Sequence, residues 1–155
     1  MTETSTDQDA ALYASVRQEL VTFATGLVGR SDSEDVVSTA VLSAFRSRSW
    51  PEVTNRRAYL YRAVFHEAQA FTRREAQRGR RDRQAANTER WELPDFHPEV
   101  RTAVEALSMR QRAVIVLTYW ADLPPSEVAV RLGISDGSVR RHLARARARL
   151  REVLR

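Results

Sequence analysis

Apolar residues recur at three- and four-residue intervals along most of the chain, and no segment sustains the alternation that a half-buried strand requires. Leu12, Val16, Leu20, Phe23 and Leu27 predict a first helix over residues 10–27. Gly29 ends it, and Ser31 or Asp32 is placed to cap the next. Val36, Val37, Ala40, Val41, Ala44 and Phe45 turn inward on a second helix that stops before Pro51. Leu60, Val64, Ala68 and Phe71 form one stripe of a third, from about Arg56 to Arg78. Three such stripes suffice for a small helical bundle over residues 10–78. The polar lead from Thr2 to Asp9 has no stripe and is expected to be disordered.

The pattern breaks over residues 79–97. This stretch is charged, is interrupted by Pro94, and offers only Trp91, Leu93 and Phe96 as apolar anchors, so it reads as a linker. A second helical unit follows over residues 98–155: Pro98 to Leu107, Arg110 to Trp120, and then a helix-turn-helix. Pro124 and Pro125 fit the first turn of a helix and mark where that motif starts. Within it, Ala129, Gly133 and Val139 supply a small packing residue, a tight turn and an inward contact at the spacing two crossing helices need. The predicted class is therefore all-α, with two small helical domains joined by a linker.

The last helix carries the most specific chemistry. Val139, Leu143, Ala146 and Leu150 give it an apolar back, while Arg141, Arg145 and Arg149 recur every four residues along another face beside Arg140 and His142. A helix lying in the DNA major groove needs that division, and a bidentate arginine–guanine pair is worth roughly 1–3 kcal/mol of discrimination. The plainer alternative is a solvated arginine face. Every basic side chain apart from histidine is arginine, so enrichment alone says little, and position carries the argument.

Charge sharpens the picture. The net charge is +5, yet acids predominate from Glu3 to Asp35, whereas Arg73 to Arg83 and Arg140 to Arg155 are strongly basic. This suits a protein that meets a protein partner with one end and nucleic acid with the rest. The longest apolar run, Ala113 to Leu117, is too short for a bilayer, and the polar, acidic start lacks a signal-peptide layout. There is no cysteine, and His66, His97 and His142 are scattered, so no metal or cofactor is expected. No nucleophile–base pair or phosphate-binding glycine loop is found, which argues against an enzyme. A cytoplasmic protein is the expectation.

Residues Ala106 to Leu150 closely resemble region four, the C-terminal DNA-binding domain, of the extracytoplasmic-function sigma factors of bacterial RNA polymerase. Arg110-Gln111-Arg112, Glu127, Ala129, Leu132-Gly133-Ile134-Ser135, Gly137-Ser138-Val139, Arg145-Ala146-Arg147 and Leu150 match the family string. The Pro124–Pro125 pair departs from it. The N-terminal bundle resembles region two of the same family, less closely. Asp32 to Val37 resembles the opening of its polymerase-binding helix, and Tyr59 to Ala63 the helix bearing its promoter-opening surface. Ser38-Thr39, His66 and Ala70 stand where the family usually has Gln-Glu, asparagine and aspartate.

The resemblance implies a sigma factor that binds core RNA polymerase and directs promoter recognition. Asp32, Glu34, Asp35, Ser38 and Thr39 would face the polymerase; the three acids also suit helix N-terminal stabilisation alone. Trp50, Asn55, Arg56 and Arg57 in the loop from Ser47 to Arg57, with Arg62, His66, Arg73 and Arg74 on the next helix, would hold single-stranded minus-ten bases. That role needs Trp50, Asn55 and Arg57 at least partly exposed. Trp50, Tyr59 and Tyr61 fit equally as core or boundary aromatics. Ser138, Arg140, Arg141, His142, Arg145 and Arg147 would meet the double-stranded minus-thirty-five element, divided between base and phosphate contacts. Two rivals stand beside this reading: a stand-alone helix-turn-helix regulator, and a sigma-like decoy that binds an anti-sigma protein. An anti-sigma protein is also a candidate partner of a working sigma factor.

Overall fold

The computed structural model describes residues 2–79 and 97–154. Among these the chain is helical, without strands. Helix α1 spans Thr2–Val28, α2 Arg30–Arg46 and α3 Arg56–Gly79, with a 3-10 turn at Trp50–Glu52. After the linker come α4 (Pro98–Glu105) and α5 (Met109–Ile115), which runs into a π-helical turn at Val116–Trp120. Helices α6 (Pro125–Leu132) and α7 (Asp136–Val153) complete the fold. Trp91, Leu93, Phe96 and the basic residues after Gly79 up to Arg83 lie outside the described residues.

The apolar stripes read from the sequence form the bundle core. Leu20, Phe23 and Leu27 of α1, Val36, Val37 and Ala40 of α2, and Leu60, Val64 and Ala68 of α3 are all buried. Two expectations at the start of the chain fail. Residues 2–9 are helical rather than disordered, because Asp9 is anchored to Trp50 and Arg56 and the helix propagates outward from that point. Neither Ser31 nor Asp32 caps α2. The helix begins one residue after Gly29, whose φ of 91° makes the break while its N–H reaches the Thr25 carbonyl. A missing cap costs about 1 kcal/mol. Burial of a single Val36-sized side chain offsets that, at roughly 1.5–3 kcal/mol.

The second unit follows its sequence signals closely. Ser108 and Gln111 form a reciprocal capping box at the start of α5. Pro125 opens α6, and Gly133 closes it in the left-handed region at φ 66°, where a side chain would be strained. Ser135 then caps α7 by accepting from the Ser138 N–H.

The two units are not separate bodies: α1 packs against α5 and the π-helical turn, α3 packs against α6, and the buried apolar residues form one continuous core. Gly26 of α1 permits a close approach, since a β-carbon there would stand 2.7 Å from Val116 Cγ2. Arg112 crosses the same joint. Only 8% exposed, it donates from Nη1 to the Leu27 carbonyl at 2.8 Å and from Nη2 to the carbonyls of Glu105 and Leu107.

Candidate nucleic-acid interface

Helix α7 is divided as its sequence predicts. Val139, Leu143 and Ala146 are buried at the back, and Arg140, Arg141, Arg145, Arg147 and Arg149 are exposed. None of Arg140, Arg145 and Arg149 pairs with a carboxylate among the described residues. Ser138 is drawn into the cap instead, its hydroxyl accepting from Ser135 Oγ and from Arg141 Nη2 at 3.1 Å. Arg147 is tethered: its Nε donates to the Tyr119 hydroxyl at 2.6 Å, and its guanidinium lies over the same ring. Tyr119 is 56% exposed and was not singled out in the sequence, since it sits in an apolar run that reads as core. His142 is half-buried, and burial, followed by Arg110, Arg145 and Arg141, lowers its pKa, so it stands neutral at pH 7.

The loop before α3 is arranged differently. Trp50, expected at the surface, is 3% exposed. It packs between Phe45 and Tyr59, with ring centroids 5.0 and 5.7 Å away, and Arg56 stacks over it at 5.0 Å. Its indole N–H donates to both carboxylate oxygens of Asp9 at 3.1 Å, and Asp9 also pairs with Arg56 at 3.4 Å. Trp50 is therefore a boundary aromatic closed off by α1, and not a free stacking platform. Asn55 is exposed, but its Oδ1 accepts from the Ala58 N–H and caps α3. Arg57 is exposed and pairs with Glu19, a hydrogen bond that raises its pKa. Tyr61 is buried against Phe23, and burial, then the Glu19 charge, pushes its pKa up to about 12.

Along α3, Arg62, His66 and Arg73 are exposed, at offsets of four and seven residues that put them on one face. Arg74 is exposed as well and pairs with Glu67 at 2.7 Å. Arg62 is less free than its exposure suggests. Its guanidinium lies on the turn of the helix-turn-helix, with Nε 2.4 Å from where a Gly133 β-carbon would be. Arg131 of α6 stacks over Tyr61 at 4.8 Å, and Arg110 of α5 lies over the buried Phe65 at 5.8 Å.

Helix α2 presents a third surface. Asp35, Ser38 and Thr39 are exposed on one face, which continues to Leu42, Ser43 and Arg46. Leu42, 53% exposed, lines a shallow depression with Thr39, Ser43, Arg46 and Ser47. An apolar residue out of phase with the inward stripe is the signal that marks it. Glu34 points elsewhere and pairs with Arg17 of α1 at 3.3 Å, and Asp32 lies half-buried in the first turn.

Residues 97–150 match the family of sigma-70 region 4 domains. Over 137 residues the chain is 32% identical to the RNA polymerase sigma-E factor of Streptomyces antibioticus, covering 79% of this chain and 71% of that protein. The chain belongs to the RNA polymerase sigma factors, in the extracytoplasmic-function group. Two solved structures share the fold. One is CnrH in complex with the cytosolic domain of CnrY, with a TM-score of 0.65 and 24% identity over 94% of this chain and 86% of that one. The other is the sigma factor RpoE bound to the anti-sigma factor NepR from Bartonella quintana, with a TM-score of 0.64 and 23% identity over 94% of this chain and 95% of that one. Both likenesses span the two helical units of this sigma factor. No helix among its described residues is long and apolar enough to cross a membrane.

Proposed function

We propose that this sigma factor engages core RNA polymerase through the outer face of α2, reads the minus-thirty-five element with α7 and holds the opened minus-ten strand along α3. The observation that supports it best is α7. Its apolar back is committed to the core, and Arg140, Arg141, Arg145 and Arg149 are left facing solvent. On α3, Arg62 and Arg73 supply positive charge and His66 a polar ring along one face for a single strand. On α2, Asp35, Ser38, Thr39 and Leu42 offer polar groups around an apolar centre. That composition suits a protein partner better than nucleic acid. The chain then acts by binding rather than by catalysis of its own, works in the cytoplasm beside polymerase, and takes an anti-sigma protein as a further partner. Residues 10–78 and 98–155 act as its two functional domains.

Transcription in vitro tests the reading. Core polymerase supplemented with the chain is expected to give promoter-specific transcripts from a genomic library, and Arg141→Ala combined with Arg145→Ala is expected to abolish them. Co-elution with polymerase but no transcripts on any template would hand the assignment to the decoy, and DNA binding without polymerase to the stand-alone regulator.

A further inference from the structure

Tyr119 is an aromatic ring that the fold turns outward. Val116 and Leu117 of the same π-helical turn are buried, whereas Tyr119 is 56% exposed and stands beside α7. Its hydroxyl accepts from Arg147 Nε at 2.6 Å, and the guanidinium carbon lies 5.6 Å from the ring centroid. Packing does not account for this arrangement. An exposed hydrogen bond contributes little to the fold, and holding a long arginine side chain in one rotamer costs entropy. What the tether fixes is the guanidinium. Its Nε is spent on Tyr119, while neither Nη atom has a hydrogen-bond partner among the described residues. No carboxylate among those residues competes for it. The Tyr119 oxygen accepts the bond, so its own proton is left to be donated elsewhere.

Position on α7 separates Arg147 from most of the other arginines. At about 100° per residue, Arg141, Arg145 and Arg149 line one side of the helix, and Arg140, Arg147 and Arg151 line another. Exposed Ala144 and Ala148 lie between the two rows. Small side chains there let the helix approach a groove floor, while the rows diverge toward the sugar-phosphate strands on either side. The first turns of a recognition helix are the ones that meet base edges. Arg147 stands about three turns, or about 16 Å, beyond Asp136. It is also drawn toward Tyr119, which precedes the helix-turn-helix altogether. A group placed there faces backbone rather than bases.

We infer that Tyr119 and Arg147 together form a phosphate clamp at the rim of the α7 interface, with the tyrosine holding the guanidinium ready and adding its own O–H as a further donor. Two Nη groups and one hydroxyl suit the oxygens of a single backbone phosphate. Such a contact carries no sequence information, but it fixes the register of the helix in the groove. Tyr119 is then a positioning residue for what α7 reads. The inference rests on the sigma-factor reading above, and within it on α7 as the duplex-binding helix.

The test uses the full chain, a duplex that it selects from a random pool, and a shuffled duplex of the same composition. Tyr119→Phe removes only a hydroxyl from an exposed ring. It should weaken binding to both duplexes by about threefold to tenfold and leave the ratio between them unchanged. Arg147→Ala should weaken both by about tenfold and flatten the salt slope by about one unit. In the Arg147→Ala background, Tyr119→Phe should cost less than about twofold, because the phosphate is no longer drawn to the ring. Arg147→Lys keeps the charge without the fork, so it should preserve the salt slope and lose the sensitivity to Tyr119→Phe.

Binding by Tyr119→Phe within about twofold of the unmutated chain overturns the clamp, as does an equal loss in both backgrounds. A loss confined to the selected duplex also overturns it, since a phosphate contact is blind to sequence. Arg141→Ala combined with Arg145→Ala separates the clamp from the reading beneath it. If that variant loses the selected duplex while Tyr119→Phe changes nothing, only the clamp falls. If the unmutated chain prefers no duplex, or the double variant binds as it does, α7 is not the reader and both fall.

Discussion

Helix α7 and the loop before α3 were both read as rows of DNA-contacting side chains, and the structure treats them in opposite ways. On α7, packing of Val139, Leu143 and Ala146 fixes the back, and the arginines between them are sent outward, paired with no acid among the described residues. In the loop, Trp50 is sealed by Asp9, Asn55 is spent on a helix cap, and Arg57 is paired with Glu19. A helix with one buried face dictates where its other face points, because its periodicity leaves no choice. A loop does not: its polar side chains turn back to satisfy nearby backbone and charge. Residue type alone is thus a better guide to which side chains face solvent on α7 than in the loop.

The contrast breaks most decisively at Trp50. Trp50→Ala should lower unfolding free energy by about 3–5 kcal/mol, as removal of a large buried aromatic does. Urea denaturation checks it. A change within about 0.5 kcal/mol would return Trp50 to the surface and to candidacy as a base platform.

Arg145 sharpens the other side. Arg145→Ala should leave stability within about 0.5 kcal/mol, because the side chain is exposed and pairs with no carboxylate among the described residues. If it reads a base, binding to a minus-thirty-five duplex should fall by about 1–3 kcal/mol with relaxed preference at one position. A phosphate contact would instead weaken all sequences alike and flatten the salt slope by about one unit. Titration against matched and mismatched duplexes at several salt concentrations separates the two, and equal affinity in all of them removes Arg145 from the interface.

The smallest effect belongs to His142. Its pKa is lowered in the folded chain, by burial first and then by its arginine neighbours. The unfolded chain therefore binds the proton more readily, so the native state loses stability as pH falls below about 6.5 toward the lowered folded value. In His142→Gln this component is absent, and stability should decline less between pH 7 and pH 5.5. Identical pH profiles for the two proteins would show that the ring is more open than its position between Arg110 and Arg145 implies.

What the sequence made legible follows the same division. The helices α2 to α7 and the Gly133 turn were readable because their periodicity, proline and glycine signals agree with one another. Residues 2–9 were not. Their order depends on Asp9 meeting Trp50 across 41 positions, a long-range contact that leaves no local trace. The joint was equally hidden, since Arg110, Arg112 and Arg131 look like any other arginines until the fold sets them over Phe65, the Leu27 carbonyl and Tyr61. Leu42 differs from these, because its phase on α2, outside the inward stripe, is legible in the sequence.

Arg112 gives the joint a particular mechanical character. Burial lowers its pKa to about 10, with Glu105 opposing, which reflects how much hydration the guanidinium gives up when the units close. In the unfolded chain water takes the place of the Leu27 carbonyl, so the net worth of that charge-assisted bond is modest, about 1.5–3 kcal/mol. Its geometry is nevertheless strict, because a buried guanidinium misaligned by an ångström or two would be left unsatisfied. The side chain therefore selects one register for the packing of the two units. The joint's register is thus set by the geometry of one side chain more than by the strength of its bonds.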